Sequence, residues 1–156
     1  MENLIKLLKE KHLTIGSVES MTGGLFASLL TSVSGASSVF KGSLITYSAE
    51  EKIHLAKVKK ETIDKYSVVS KEVAIEMAKG GKEVLNVDLC ISVTGNAGPT
   101  SDIGDKPVGE VHIALAFKDK IYTKNISLKG DRNHIRSMCV DEMVKLVSFS
   151  LTNEAL

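Results

Sequence analysis

The sequence has no tryptophan, and its aromatic residues amount to four phenylalanines and three tyrosines among 156 positions. A surface that stacks nucleobases is therefore hard to build, and a formal net charge of +1 supplies no basic coat for a phosphate backbone. Nucleic acid is not an expected partner. The two cysteines, Cys90 and Cys139, lie in apolar stretches without metal-ligand spacing, which favours buried reduced thiols over a disulfide or a nucleophile. No apolar run approaches the roughly 20 residues that span a bilayer. Met1 to His12 is broken by Lys6, Lys9 and Lys11 and lacks a signal-peptide core. A cytoplasmic protein with no membrane partner is the expectation. Walker A, G-x-G-x-x-G and H-E-x-x-H patterns are all missing, so kinase, dehydrogenase and zinc-hydrolase readings lose their usual supports. Neither a metal nor an organic cofactor is expected.

Arginine is scarce too. Of 20 basic residues only Arg132 and Arg136 are arginines, and they stand four apart in Gly130-Asp131-Arg132-Asn133-His134-Ile135-Arg136. One reading is that a planar fork is needed there to hold phosphate or carboxylate through two bonds. The other is a solvated helix face with favourable i,i+4 geometry.

What is present reads as alternating helices and strands. Leu4, Ile5, Leu7 and Leu8 mark a first amphipathic helix ending near Lys11. Leu13 to Val18 is a strand, followed by a helix from Thr22 to Leu30 that opens on Gly23-Gly24. A small-residue loop at Ser34–Ser38 leads to a second strand, Ser43 to Tyr47. Ser48-Ala49-Glu50-Glu51 has the form of a capping box. A short surface helix is expected within Val58 to Tyr66. Ser70 caps a longer helix with Val73, Met77, Gly81 and Val84 at helical spacing. Asp88 to Val93 is a buried-type strand running into the loop Thr94-Gly95-Asn96-Ala97-Gly98-Pro99, which continues through Asp105-Lys106-Pro107. A hairpin follows, Glu110 to Phe117 and Ile121 to Ser127. The last helix, from Asp131 to about Ser150, offers Ile135, Cys139, Met143, Leu146 and Val147 to the core. This order predicts an α/β fold: a three-layer α/β/α sandwich around a mixed, mostly parallel sheet of about five strands. No linker or repeat interrupts it, and one domain over residues 1–156 is expected.

Ligands of open α/β sheets bind beyond the carboxyl ends of the strands. Three loops leave strands in that direction: Glu19 to Gly24, Tyr47-Ser48 followed by Lys52, and Thr94 to Pro99. Ser20, between a strand and a helix start, is the leading nucleophile candidate, since unpaired helix amides nearby suit an oxyanion. The alternative is that Ser20 or Thr22 only caps the helix. A serine nucleophile needs a base. His12, His54, His112 and His134 fall outside the three loops, whereas Lys52 sits just after a strand, where desolvation would lower its pKa. An exposed lysine beside Glu51 is the competing reading. Ser38-Val39-Phe40-Lys41 also has the S-x-x-K form, but in a loop context.

Together these segments resemble the CinA C-terminal domain family, whose characterised members include nicotinamide mononucleotide deamidases. The resemblance rests on Ser17 to Leu25, Gly42 to Lys52, Val69-Ser70 through Gly80, Val93 to Pro99, Lys106 to Gly109, and Gly130 to Arg136, in the family's order. It implies hydrolysis of a nicotinamide mononucleotide carboxamide to nicotinate mononucleotide and ammonia, with Ser20 as nucleophile and Lys52 as base. Thr22, Gly23 and Gly24 would supply oxyanion amides. Thr94, Gly95, Ala97 and Gly98 would surround the amide, and Tyr47 would flank the ring. Arg136, with Arg132 beside it, would anchor the mononucleotide. A homo-oligomer, dimer or larger, is also implied, in a stand-alone form of a domain that larger relatives carry beside another. Two departures stand out. Met21 replaces a common cysteine, and Thr100-Ser101-Asp102-Ile103-Gly104 replaces a glycine-rich run, bringing Asp102 beside an anionic substrate. Two other functions remain open: a non-catalytic nucleotide-binding or protein-interaction module linked to competence and DNA damage, and hydrolysis of a different small amide.

Overall fold

The computed structural model describes residues 1–101 and 106–154. In chain order the elements are α1 (Glu2–Glu10), β1 (Ile15–Glu19), α2 (Leu25–Thr31), β2 (Phe40–Ile45), α3 (Ala49–Ala56), α4 (Lys60–Tyr66), α5 (Lys71–Leu85), β3 (Leu89–Gly95), β4 (Glu110–Phe117), β5 (Lys120–Ser127) and α6 (Arg132–Asn153). A single 3-10 turn, Ala36–Ser38, precedes β2.

The sheet order is β2-β1-β3-β4-β5. β1 is parallel to both β2 and β3, and β4 is antiparallel to β3 and β5. Four of the five strands thus run one way, with β4 reversed, in the mixed α/β sandwich that the sequence predicts. Period-2 alternation distributes the side chains. Ile15, Leu89, Ile91, Val93, Val111, Ile113 and Leu115 face a core shared with α1, α2 and α6. Val18 and Cys90 face α5 and Ala56 of α3, and Ala114 and Ala116 meet Ala74 and Ala78 of α5. No helix among the described residues is long and apolar enough to cross a membrane.

α5 lies close on the sheet because Gly81 has no side chain. A Cβ there would stand 2.3 Å from Val18 Cγ2 and 2.7 Å from Cys90 Sγ. At Gly80 a Cβ would come within 1.7 Å of the Ala56 carbonyl oxygen, so α3 and α5 touch backbone to side-chain-free backbone. Three side-chain caps form, those of Ser48 and Ser70 as the sequence predicts. Ser48, Ser70 and Asp131 each accept a backbone N–H three residues on, from Glu51, Val73 and His134.

Several boundaries differ from the sequence reading. α2 begins at Leu25 rather than Thr22, because Gly23 and Gly24 take φ of +57° and +99° and form a turn instead of a helix opening. β2 covers Phe40–Ile45 rather than Ser43 to Tyr47, which leaves Thr46 and Tyr47 beyond the strand end. β3 extends through Thr94 and Gly95, expected as loop, because both pair with β4 opposite His112 and Val111. Val84 is on the outer side of α5 and exposed.

Candidate active site

The carboxyl ends of β1, β2 and β3 open on a cavity of about 100 Å³ lined by Ser20, Met21, Tyr47, Gly95, Asn96, Ala97 and Arg132. Strand parity sets its chemistry. Along β1, Val18 points to the α5 side of the sheet and Glu19 to the α2 side, and Ser20 continues the alternation toward α3. Lys52, in the first turns of α3, meets it there.

Lys52 Nζ donates to Ser20 Oγ at 2.9 Å and to the Thr46 carbonyl at 2.7 Å. The lysine is only 2% exposed and its two partners are neutral. Burial pushes its pKa down to about 8 through the loss of hydration. A lysine in that state is neutral often enough near physiological pH to accept the serine proton. Ser20 itself is 8% exposed and reaches the cavity. It does not cap α2 with its side chain.

That capping belongs to Glu19, which the sequence reading passed over. Its Oε1 accepts from Thr22 Oγ1 at 2.8 Å and Phe26 N at 3.0 Å, and its Oε2 from Ala27 N at 3.1 Å and Ser43 Oγ at 3.1 Å. The carboxylate is fully buried and ties β1, β2, the turn and α2 together next to Ser20. No local pattern in the sequence marks a carboxylate for this role.

The opposite wall is the segment after β3. Asn96, also unremarked as a side chain, shapes it: Oδ1 accepts from Gly98 N at 2.9 Å and Nδ2 donates to the Lys106 carbonyl at 3.2 Å. At the mouth, Arg132 donates from Nη1 to the Gly98 carbonyl at 2.6 Å and from Nη2 to Tyr47 Oη at 2.9 Å. Tyr47 is 62% exposed, so its ring is free to cover a ligand.

Other expected site residues stand behind this lining. Thr22 gives its hydroxyl to Glu19, and Gly23 N is engaged with the Ser20 carbonyl at 3.0 Å. Gly24 packs near Ile45. Thr94 turns its hydroxyl to the Val68 carbonyl at 2.7 Å. Arg136 is not at the cavity either. Its Nε donates to the Met21 carbonyl at 3.0 Å and its Nη2 to the Thr22 carbonyl at 2.8 Å. The solvated-face reading fails for Arg136, which is half-buried and grips two backbone carbonyls, whereas Arg132 is exposed and also donates to the Gly98 carbonyl. Ser38 of the S-x-x-K match bonds its hydroxyl to the Gly35 carbonyl, away from the site. Cys90 and Cys139 are free, buried and held by desolvation at pKa values of about 12. Asp102, Ile103, Gly104 and Asp105 lie outside the described residues, and with them the expectation about Asp102. Among the described residues no cluster of three or more His, Cys, Asp or Glu side chains has the arrangement of a metal site.

Comparison with known proteins places the chain in a family. The model of the CinA C-terminal domain matches residues 1–151. The chain belongs to the CinA C-terminal domain family. A CinA-like protein of Kosmotoga olearia is 46% identical over 136 residues, which are 87% of this chain and 33% of that protein. A competence-damaged protein (CinA) superfamily structure from Klebsiella pneumoniae superposes with a TM-score of 0.93 at 25% identity, covering 96% of this chain and 94% of the other. One from Escherichia coli gives 0.88 at 28% identity, with 97% and 89% covered. The chain spans about a third of the length of the curated relatives it matches.

Proposed function

We propose that this chain is a nicotinamide-nucleotide amidase that hydrolyses the carboxamide of nicotinamide mononucleotide to nicotinate mononucleotide and ammonia. The observation that carries the reading is the 2.9 Å bond between Lys52 Nζ and Ser20 Oγ at the wall of an open cavity. A buried lysine held near pH 8 beside a serine is the arrangement of an activated nucleophile. The choice of substrate rests on the resemblance of the loops. The pocket chemistry supports it, with a tyrosine ring for a flat heterocycle and Arg132 for an anionic group at the mouth.

The reaction follows from these atoms. Neutral Lys52 takes the Ser20 proton as Oγ bonds to the carboxamide carbon. The carbonyl oxygen becomes an oxyanion near the Met21 amide, the N–H that follows the nucleophile. Lys52 returns the proton to the amide nitrogen, the C–N bond breaks, and ammonia leaves an acyl-serine. Water then attacks the acyl carbon and gives a proton to Lys52, which passes it to Oγ as the acid departs. Thr46, through its carbonyl, keeps Nζ aimed at Ser20 while the proton moves. A homo-oligomer belongs to the same proposal, and sedimentation of the pure protein tests it.

Pure protein should release ammonia from nicotinamide mononucleotide, and Ser20→Ala should abolish release while leaving the fold intact by circular dichroism. Tight nucleotide binding without ammonia would replace this reading with a non-catalytic module. Turnover of other carboxamides alone would move the substrate and keep the dyad.

A further inference from the structure

We infer that Arg136 is a positioning residue for the turn that carries Ser20 and that Arg132 alone of the two arginines meets the substrate's anionic group. The inference rests on the amidase reading for its substrate, and on geometry for the rest.

A peptide unit is planar and trans, so its N–H points opposite to its own C=O. Fixing a carbonyl therefore aims the amide of the next residue. Three successive carbonyls after β1 are fixed. That of Ser20 accepts from Gly23 N at 3.0 Å, which directs the Met21 N–H the other way. That of Met21 accepts from Arg136 Nε at 3.0 Å, which directs the Thr22 N–H. The Thr22 carbonyl accepts from Arg136 Nη2 at 2.8 Å and from Leu25 N at 3.0 Å. Glu19 holds the same residue from its other side through the Thr22 hydroxyl. The cation and the buried carboxylate thus meet on Thr22, one through its carbonyl and one through its hydroxyl, and the amide beside the nucleophile is set before substrate arrives. Preset donors are the form in which such groups stabilise an oxyanion, because no reorganisation is left for the reaction itself.

The remaining donor geometry of Arg136 points the same way. Nη1 donates to Asn133 Oδ1 at 3.2 Å, so each of its three nitrogens already holds a protein acceptor. A phosphate could displace these bonds only by releasing the turn that the chemistry needs. Arg132 differs. Its partners, the Gly98 carbonyl and the Tyr47 hydroxyl, lie at the cavity mouth, and exchanging them for an anion disturbs neither Ser20 nor Lys52.

The test compares Arg136→Ala, Arg136→Lys and Arg132→Ala on nicotinamide mononucleotide and on the phosphate-free nucleoside, together with inactivation by phenylmethanesulfonyl fluoride, an uncharged reagent that sulfonylates serine. Loss of Arg136 should lower kcat about 10²-fold on both substrates with KM nearly unchanged, a size typical of a misplaced reacting group. It should slow sulfonylation similarly and be partly rescued by added guanidinium. Arg136→Lys, which keeps the charge and one donor end, should fall between and serves if the alanine variant does not fold. Arg132→Ala should raise KM for the mononucleotide alone. A higher KM for the mononucleotide in the Arg136 variants, with normal kcat and normal sulfonylation, overturns the inference. Sulfonylation reads the turn even if neither substrate is hydrolysed, so failure of the amidase reading is distinguished from failure of this one.

Discussion

Lys52 is buried with neutral hydrogen-bond partners, Ser20 and the Thr46 carbonyl, and that placement acts in opposite directions on folding and on chemistry. Its pKa of about 8 in the folded chain lies below the 10.5 of an unperturbed lysine. Below pH 8 both states are protonated and the folded protein carries the whole cost of desolvation, about 3 kcal/mol. Between pH 8 and 10.5 the folded state sheds its proton first, so this contribution to stability improves as pH rises. Lys52→Met should therefore be inactive yet more stable by about 1 kcal/mol at pH 7, after about 2 kcal/mol for the lost bonds to Ser20 and Thr46. Urea denaturation across pH 7 to 10.5 should show that gain shrinking, and a gain independent of pH would contradict the assignment. Activity of the unmodified protein should climb through about pH 8 as Lys52 becomes neutral. Ser20 and Lys52 were legible in the sequence because each follows a strand. Glu19 was not, since nothing local shows that a carboxylate after Val18 would be fully enclosed by hydroxyl and amide donors.

Among the elements, α3 is the one whose position decides whether the dyad exists. It rests on α5 at Gly80, where any side chain would collide with the Ala56 carbonyl. Gly80→Ala should push α3 outward, cost about 1–3 kcal/mol as overpacking does, and lengthen the reach from Lys52 to Ser20. Thermal melts with ammonia release should show a loss of kcat larger than the loss of stability explains at assay temperature. Unchanged turnover would mean that α3 tolerates the shift. The capping residues of α3 and α5 were readable because a side chain and an amide three residues on settle a helix start locally. The start of α2 was not, since Gly23 and Gly24 are equally at home in a helix opening and in a left-handed turn. β2 starts three residues and ends two residues earlier than expected because it is an edge strand, half-buried, with no clear alternation in Phe-Lys-Gly-Ser-Leu-Ile.

At the scale of the molecule, the order of the loops located the site, because a sheet of this type gathers ligands where its parallel strands end. What the order could not convey was how residues 114 and 115 positions apart would meet, as Arg136 meets Thr22 and Met21. Those contacts depend on the register of α6 over the sheet, which emerges only from packing. The two thiols sample that packing on both sides: Cys139 belongs to the core under α6, and Cys90 to the core under α5. With pKa values near 12 and no exposure, neither is a nucleophile while the fold holds. Iodoacetamide at pH 7.5 should leave both unmodified in the native protein. In urea, mass spectrometry should find them alkylated with one common rate if the layers open together. Unequal rates would show one face loosening first. The chain thus carries two clocks of its own, one in each half of the sandwich, that time its opening without any label being added.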